Sequence, residues 1–145
     1  VPAHEFYSDY LAFVALTAVG KPPGFSTGSV IELTDILSRG KFLGGIESEL
    51  FDYYKHKTED FIHSFLPVQI KKMYHEGMYD AVIRLCNILF TTDPLSETAL
   101  AYYVNTCQKM NLPDKALKRY NIFAKEYRRT MGEDYGVNYE AVKTK

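Results

Sequence analysis

Apolar residues recur along this chain at intervals of three and four, the spacing of one face of an α-helix. Phe6, Tyr10, Phe13 and Val14 form the first such stripe and predict a helix from about Ala3 to Val19. Pro2 and Glu5 suit its start, where the backbone needs no donor and the dipole is positive. Gly20-Lys21-Pro22-Pro23-Gly24 ends it. Val30, Leu33 and Leu37 predict a second helix from Ser29 to Arg39, opened by a Ser29/Glu32 capping box and closed by Gly40. The stretch Gly40-Lys41-Phe42-Leu43-Gly44-Gly45 reads as a tight connection that plants Phe42 and Leu43 in the core. It lacks the Gly-x-x-x-x-Gly-Lys-Ser/Thr spacing of a phosphate cradle. Phe51, Tyr54, Thr58, Phe61, Ile62 and Phe65 predict a third helix beginning near Glu47. Pro67 interrupts that pattern before Ile70, Met73 and Tyr74 resume it. A kinked helix, or two abutting ones reaching about Glu76, is the expectation.

Downstream the pattern repeats itself. A helix is expected from Asp80 to about Thr91, then a break at Asp93-Pro94, a helix over about Ser96 to Met110, and a turn over Asn111 to Ala116 into a last helix that reaches about Thr130. Gly77 and Asn111 stand thirty-four positions apart, as do Asp80 and Asp114. Each junction pairs a residue tolerant of positive φ with an acidic residue and then Ala81 or Ala116. Thirty-four residues is the period of tetratricopeptide (TPR) helical hairpins. The first helix of this stretch is apolar on several sides (Val82, Ile83, Leu85, Cys86, Ile88, Leu89), as a helix sandwiched by neighbours would be. The next has one stripe, Leu100, Tyr103, Val104, Cys107 and Met110. Two hairpins are few for a solenoid, so the preceding helices are expected to cover them. The expected fold is all-α: stacked antiparallel helical hairpins in a TPR-like right-handed superhelix, forming a single domain over residues 1–145.

Composition narrows the function classes. With 46% hydrophobic and 24% charged residues the chain can build a core, which argues against disorder. Its net charge of -1 predicts no partner and lacks the basic excess of a free-standing nucleic-acid binder. Twelve Tyr and nine Phe without any Trp point to one-ring aromatics in core and grooves. Cys86 and Cys107 fall on apolar helix positions and read as reduced core residues. Glu5 and Asp9 stand where a signal peptide would be basic, and the uncharged run Tyr10 to Gly20 is too short to span a bilayer. A cytoplasmic location without membrane contact is therefore expected. The start at Val1 also fits a piece of a longer protein.

Three segments carry a resemblance to a known family. Leu37-Ser38-Arg39-Gly40-Lys41-Phe42-Leu43 is similar to its helix end, glycine and Phe/Leu anchor. Asp93-Pro94-Leu95-Ser96-Glu97 is similar to its Asp-Pro-Leu-x-Glu junction. Ala116-Leu117-Lys118-Arg119-Tyr120, with Glu126-Tyr127 and Met131-Gly132, is similar to its final helix. The chain thus resembles the bacterial transcriptional activator domain (BTAD), the TPR-like part of SARP-type regulators. Its tail Tyr135-Gly136-Val137-Asn138 lacks the proline of the family's closing segment. The resemblance covers nearly the whole chain and implies a domain for interdomain contacts, dimerisation or activation. The winged helix-turn-helix that precedes it in the family is missing, so DNA is reached only indirectly. The implied partners are proteins: its own DNA-binding domain, a second copy or the transcription machinery.

No catalytic, cofactor or metal residues are assigned. His56, Glu59, Asp60 and His63 cluster on one helix, but a metal needs three or four converging ligands, and the cluster reads as a solvated face. The chain has no Gly-x-Ser-x-Gly elbow and no Cys beside a His, so it is not expected to be an enzyme. Two surfaces are candidate contact sites. The polar stripe Thr98, Ala101, Asn105, Gln108 and Lys109 lies opposite the core stripe of its helix, where a TPR hairpin lines its groove; the same stripe would also suit a merely wet helix face. Lys118, Lys125 and Arg128 form a possible basic patch, with a solvated helix end as the plainer alternative. The competing function is a general TPR-like adaptor or scaffold unconnected to transcription; an accessory domain of an enzyme or sensor is the third.

Overall fold

In a computed structural model of the protein the described residues are 49–144, with only the backbone described at 49–55, 57 and 58. The helices expected over Ala3 to Val19 and Ser29 to Arg39, and the loop holding Phe42 and Leu43, lie outside them. The chain divides into two compact units, Val1–Thr58 and Glu59–Lys145. The described residues are all-α: α1 (Glu49–His75), α2 (Tyr79–Thr92), α3 (Glu97–Lys109), α4 (Pro113–Met131) and α5 (Tyr139–Lys143), with no strand among them.

Helix α1 runs through Pro67 in one piece. Of the two alternatives expected, a kinked helix or two abutting ones, the second is corrected. Proline removes one backbone donor and costs about 3 kcal/mol in a helix interior. Ile62, Phe65, Leu66, Ile70 and Met73, on both sides of it, are buried. Each fully buried apolar side chain contributes about 1.5–3 kcal/mol, so packing outweighs the proline.

The two hairpin turns are built alike, bond for bond. After α1, Gly77 adopts φ 74°. The Gly77 N–H donates to the Tyr74 carbonyl (3.1 Å), and Met78 N–H to that of Met73 (2.9 Å). After α3, Asn111 adopts φ 57°. Asn111 N–H donates to the Gln108 carbonyl (3.1 Å), and Leu112 N–H to that of Cys107 (2.8 Å). Both are Schellman turns, which satisfy the last carbonyls of a helix. Every donor and acceptor in the second lies thirty-four residues after its counterpart in the first. The loop between hairpins is fixed by side chains. Asp93 Oδ1 accepts from Leu95 N–H (3.2 Å), and Ser96 caps α3 by accepting from Ala99 N–H (3.2 Å).

Helix α3 is the centre of this unit and packs against α2, α4 and α5. Leu100, Tyr103, Val104 and Cys107 face inward with Val82, Leu85, Cys86 and Leu89 of α2. Arg119 ties α4 to both: its guanidinium lies 4.6 Å from the Phe90 ring centre and 5.1 Å from that of Tyr103. It also donates to Asn87 Oδ1 at 2.9 Å. Gly132, at φ 78°, ends α4. The chain then folds back, Tyr135 packing on Phe123 and Tyr127 at 4.9 and 5.1 Å between ring centres. Tyr120 Oη donates to the Val137 carbonyl (2.8 Å). Asn138 caps α5 by accepting from Ala141 N–H (2.9 Å), and Val142 is buried.

Candidate protein-interaction groove

Four of the five residues in the expected polar stripe share one cleft. Ala101, Asn105, Gln108 and Lys109 line it together with Tyr74 of α1, Tyr102 of α3, Lys143 of α5 and Thr144, around a space of about 600 Å³. Thr98 is exposed and stands outside it. Tyr74 and Tyr102 meet edge to face, with ring centres 5.3 Å apart, and make one wall.

The two amides of the stripe are already engaged. Asn105 Nδ2 donates to the carbonyls of Ala101 (2.8 Å) and Val142 (3.2 Å). Gln108 Nε2 donates to Tyr139 Oη at 2.9 Å. Both therefore hold the C-terminal helix against α3. Lys143 completes the other wall; its ammonium lies 4.9 Å from the Tyr139 ring centre and 3.0 Å from both carboxylate oxygens of Glu140. Lys109 is exposed on α3. The lining thus holds two ammonium groups, two phenols and two amides but no carboxylate.

Tyr74, Tyr102, Lys143 and Thr144 were not foreseen. Tyr74 had a signal: it precedes Gln108 by one thirty-four-residue period, so the repeat puts both on corresponding faces. Lys143 had none, because the return of the tail decides its place.

The basic patch comes together only in part. Lys118 and Lys125 are exposed and line a shallow depression with Asp114, Leu117, Asn121 and Ile122. Arg128 is outside it and pairs with Asp134 at 3.5 Å. Asp114 and Asp134 offset the cations, so this is a mixed surface rather than a field of one sign. On α1, His56, Asp60 and His63 are exposed and Glu59 is half-buried. No group of three metal-binding side chains occurs among the described residues.

Cys86 and Cys107 are both buried free thiols. Burial pushes the Cys86 thiol far up, against the pull of Arg119 and with a further push from Cys107. Burial also raises Cys107, opposed by Lys115 and Arg119. A thiol held protonated is a poor nucleophile. No described helix is long and apolar enough to cross a membrane. Comparison with models of known families, with curated proteins and with solved structures gave no match to this chain.

Proposed function

We infer that this chain is a protein-interaction and regulatory domain of a bacterial SARP-like transcriptional regulator, mediating interdomain contacts, dimerisation or activation. Its hairpins belong to a TPR-like right-handed superhelix, with the α3 face as the inner surface. The observation that carries this reading is the pair of Schellman turns at Gly77 and Asn111, identical in every bond across a thirty-four-residue offset. A unit of that kind presents side chains along a groove and has no chemistry of its own to perform. Two segments quoted for the BTAD resemblance carry structural duties in this unit: Asp93 to Glu97 forms the side-chain-fixed entry to α3, and Arg119 of the last-helix motif joins α4 to α2 and α3. The domain works in the cytoplasm, is not an enzyme, and leaves DNA reading to a winged helix elsewhere in the protein.

Two measurements test this. The coding sequence upstream of Val1 is expected to encode a winged helix; a signal peptide or a catalytic domain there would overturn the transcriptional reading in favour of a scaffold or accessory domain. The purified winged helix, titrated with this chain, is expected to bind it or to gain DNA affinity in its presence. Lys109→Ala is the preferred variant for locating the contact, because Asn105 also anchors α5.

A further inference from the structure

Laid on the thirty-four-residue period, α4 keeps the residue types of α2 at three positions. Leu117 follows Ile83, Asn121 follows Asn87 and Ile122 follows Ile88. In α2 these positions are covered. Ile83 and Ile88 are 8% and 5% exposed, and Asn87 Oδ1 accepts from the guanidinium of Arg119 on α4 at 2.9 Å. In α4 they are open. Leu117 and Ile122 are 42% and 48% exposed, and Asn121 is exposed and makes no hydrogen bond among the described residues. The three line one shallow depression with Lys118 and Lys125. The returning tail covers a different side of α4, through Tyr120, Phe123 and Tyr127. A stack of hairpins closes on a polar outer face. Here the last long helix instead repeats apolar and amide positions that its predecessor keeps covered.

We propose that the Leu117–Asn121–Ile122 face of α4 docks an amphipathic helix of a partner protein that carries an arginine on its apolar side, as α4 itself docks on α2. The α2–α4 contact inside this chain specifies the occupant. There an amide oxygen takes a guanidinium from the next helix of the stack, and Asn121 offers the same acceptor one period on. The planar fork of an arginine reaches such an acceptor while its stem lies along the apolar side chains, which a lysine does less well. One position departs from the pattern. Ala124 stands where α2 has Phe90, so the incoming guanidinium lacks the ring over which Arg119 lies, and the place is left to a larger side chain of the partner. This rests on the stacked-hairpin reading and extends it from the inner face to the end of the stack.

The test uses the full chain and a hydrocarbon-stapled peptide of residues 113–131, because α4 is the helix that already meets the equivalent face of α2. A staple between positions 118 and 125 lies on the side of the helix away from Arg119. In two-dimensional NMR the peptide is expected to shift the amide signals of Leu117, Asn121 and Ile122, together with the Asn121 side-chain amide. Arg119→Ala in the peptide should weaken binding by about tenfold. In the chain, Asn121→Asp should tighten it several-fold, since the hydrogen bond becomes charge-assisted on both sides, and Leu117→Lys/Ile122→Lys should abolish it. The proposal is overturned if the shifts fall at Asn87, Phe90 and Tyr103, where the peptide would be displacing the chain's own α4, or if they fall in the cleft between α3 and α5. It is equally overturned if Arg119→Ala in the peptide changes nothing, or if sedimentation shows the chain pairing with itself through this face before peptide is added. A winged helix that binds the chain while the peptide does not would leave the regulatory reading standing and sink this one.

Discussion

At Asn111 the backbone takes φ 57°, in the left-handed region where most side chains crowd the following carbonyl. Gly77 takes φ 74° at the equivalent turn, and a Cβ added there would meet nothing within 4 Å. The cost of a side chain at Gly77 is thus wholly one of backbone conformation. Gly77→Ala is expected to lose about 1 kcal/mol, seen as a lower urea midpoint at unchanged slope. Asn111→Gly should change stability by only a few tenths, while Asn111→Val loses about 2 kcal/mol, since a β-branched residue suits this region worst. Equal midpoints for Gly77→Ala and the parent would contradict the turn. Arg119 is a residue of another kind. Its planar guanidinium serves Phe90, Tyr103 and Asn87 together, and a lysine cannot reproduce that geometry. Arg119→Lys is expected to cost about 1 kcal/mol and Arg119→Ala about 2, by the same unfolding measurement. An Arg119→Lys protein as stable as the parent would show that charge alone matters there.

Helix α5 has five residues, too few to persist without help. Its order comes from the Asn138 cap, from Val142 buried on the unit, and from the donors of Asn105 and Gln108. Asn138→Ala removes about 1 kcal/mol of capping, and Val142→Ala about 1.5 kcal/mol of burial. The double variant should therefore raise hydrogen exchange across Tyr139–Lys143 by more than tenfold while α2, α3 and α4 keep their protection. Loss of protection throughout the unit would mean that α5 is a structural keystone rather than a docked segment. The same element marks where sequence reading reaches its limit. Helix α2 was legible because it is apolar on several sides and α3 because it carries one apolar stripe, and the turn at Asn111 that opens α4 was legible because Gly77 stands one period before it. Helix α5 was not, since its one buried side chain sets no period and its place depends on a non-local return of the chain. At Pro67 local sterics left a kink or a break open, and the buried residues on both sides of it keep the helix in one piece. For the cleft, the α3 side was readable as a polar stripe, but the use of Asn105 and Gln108 as anchors required the tail to be seen in place.

Across the whole described unit, the cysteines report on how completely α2 and α3 are covered. Val82, Leu85, Cys86 and Leu89 on one helix and Leu100, Val104 and Cys107 on the other are almost fully shielded from water. That shielding has a sign in pH. Cys86 has its folded thiol raised well above the ordinary 9.0, chiefly by burial, and Cys107 is raised by the same cause. Tyr135 is raised too, by burial and then by Glu97, Tyr120 and Tyr127. Below the unfolded-state thiol range both states keep their protons and the stability is fully present. Above it the unfolded chain releases protons that the folded chain retains, so the unfolded state gains and stability falls as pH rises towards the folded values. Cys86 alone sets a limiting slope of about 1.4 kcal/mol per pH unit in that window. The urea midpoint is accordingly expected to be level between pH 7 and about pH 8.5 and to decline steeply beyond it. Cys86→Val, close in size and unable to ionise, should make the decline shallower. A thiol reagent at pH 8 should modify both cysteines only as fast as the unit unfolds, because neither thiol is presented to solvent as a thiolate. A flat alkaline profile, or rapid labelling of the native protein, would show that α2 and α3 open far more readily than their packing implies.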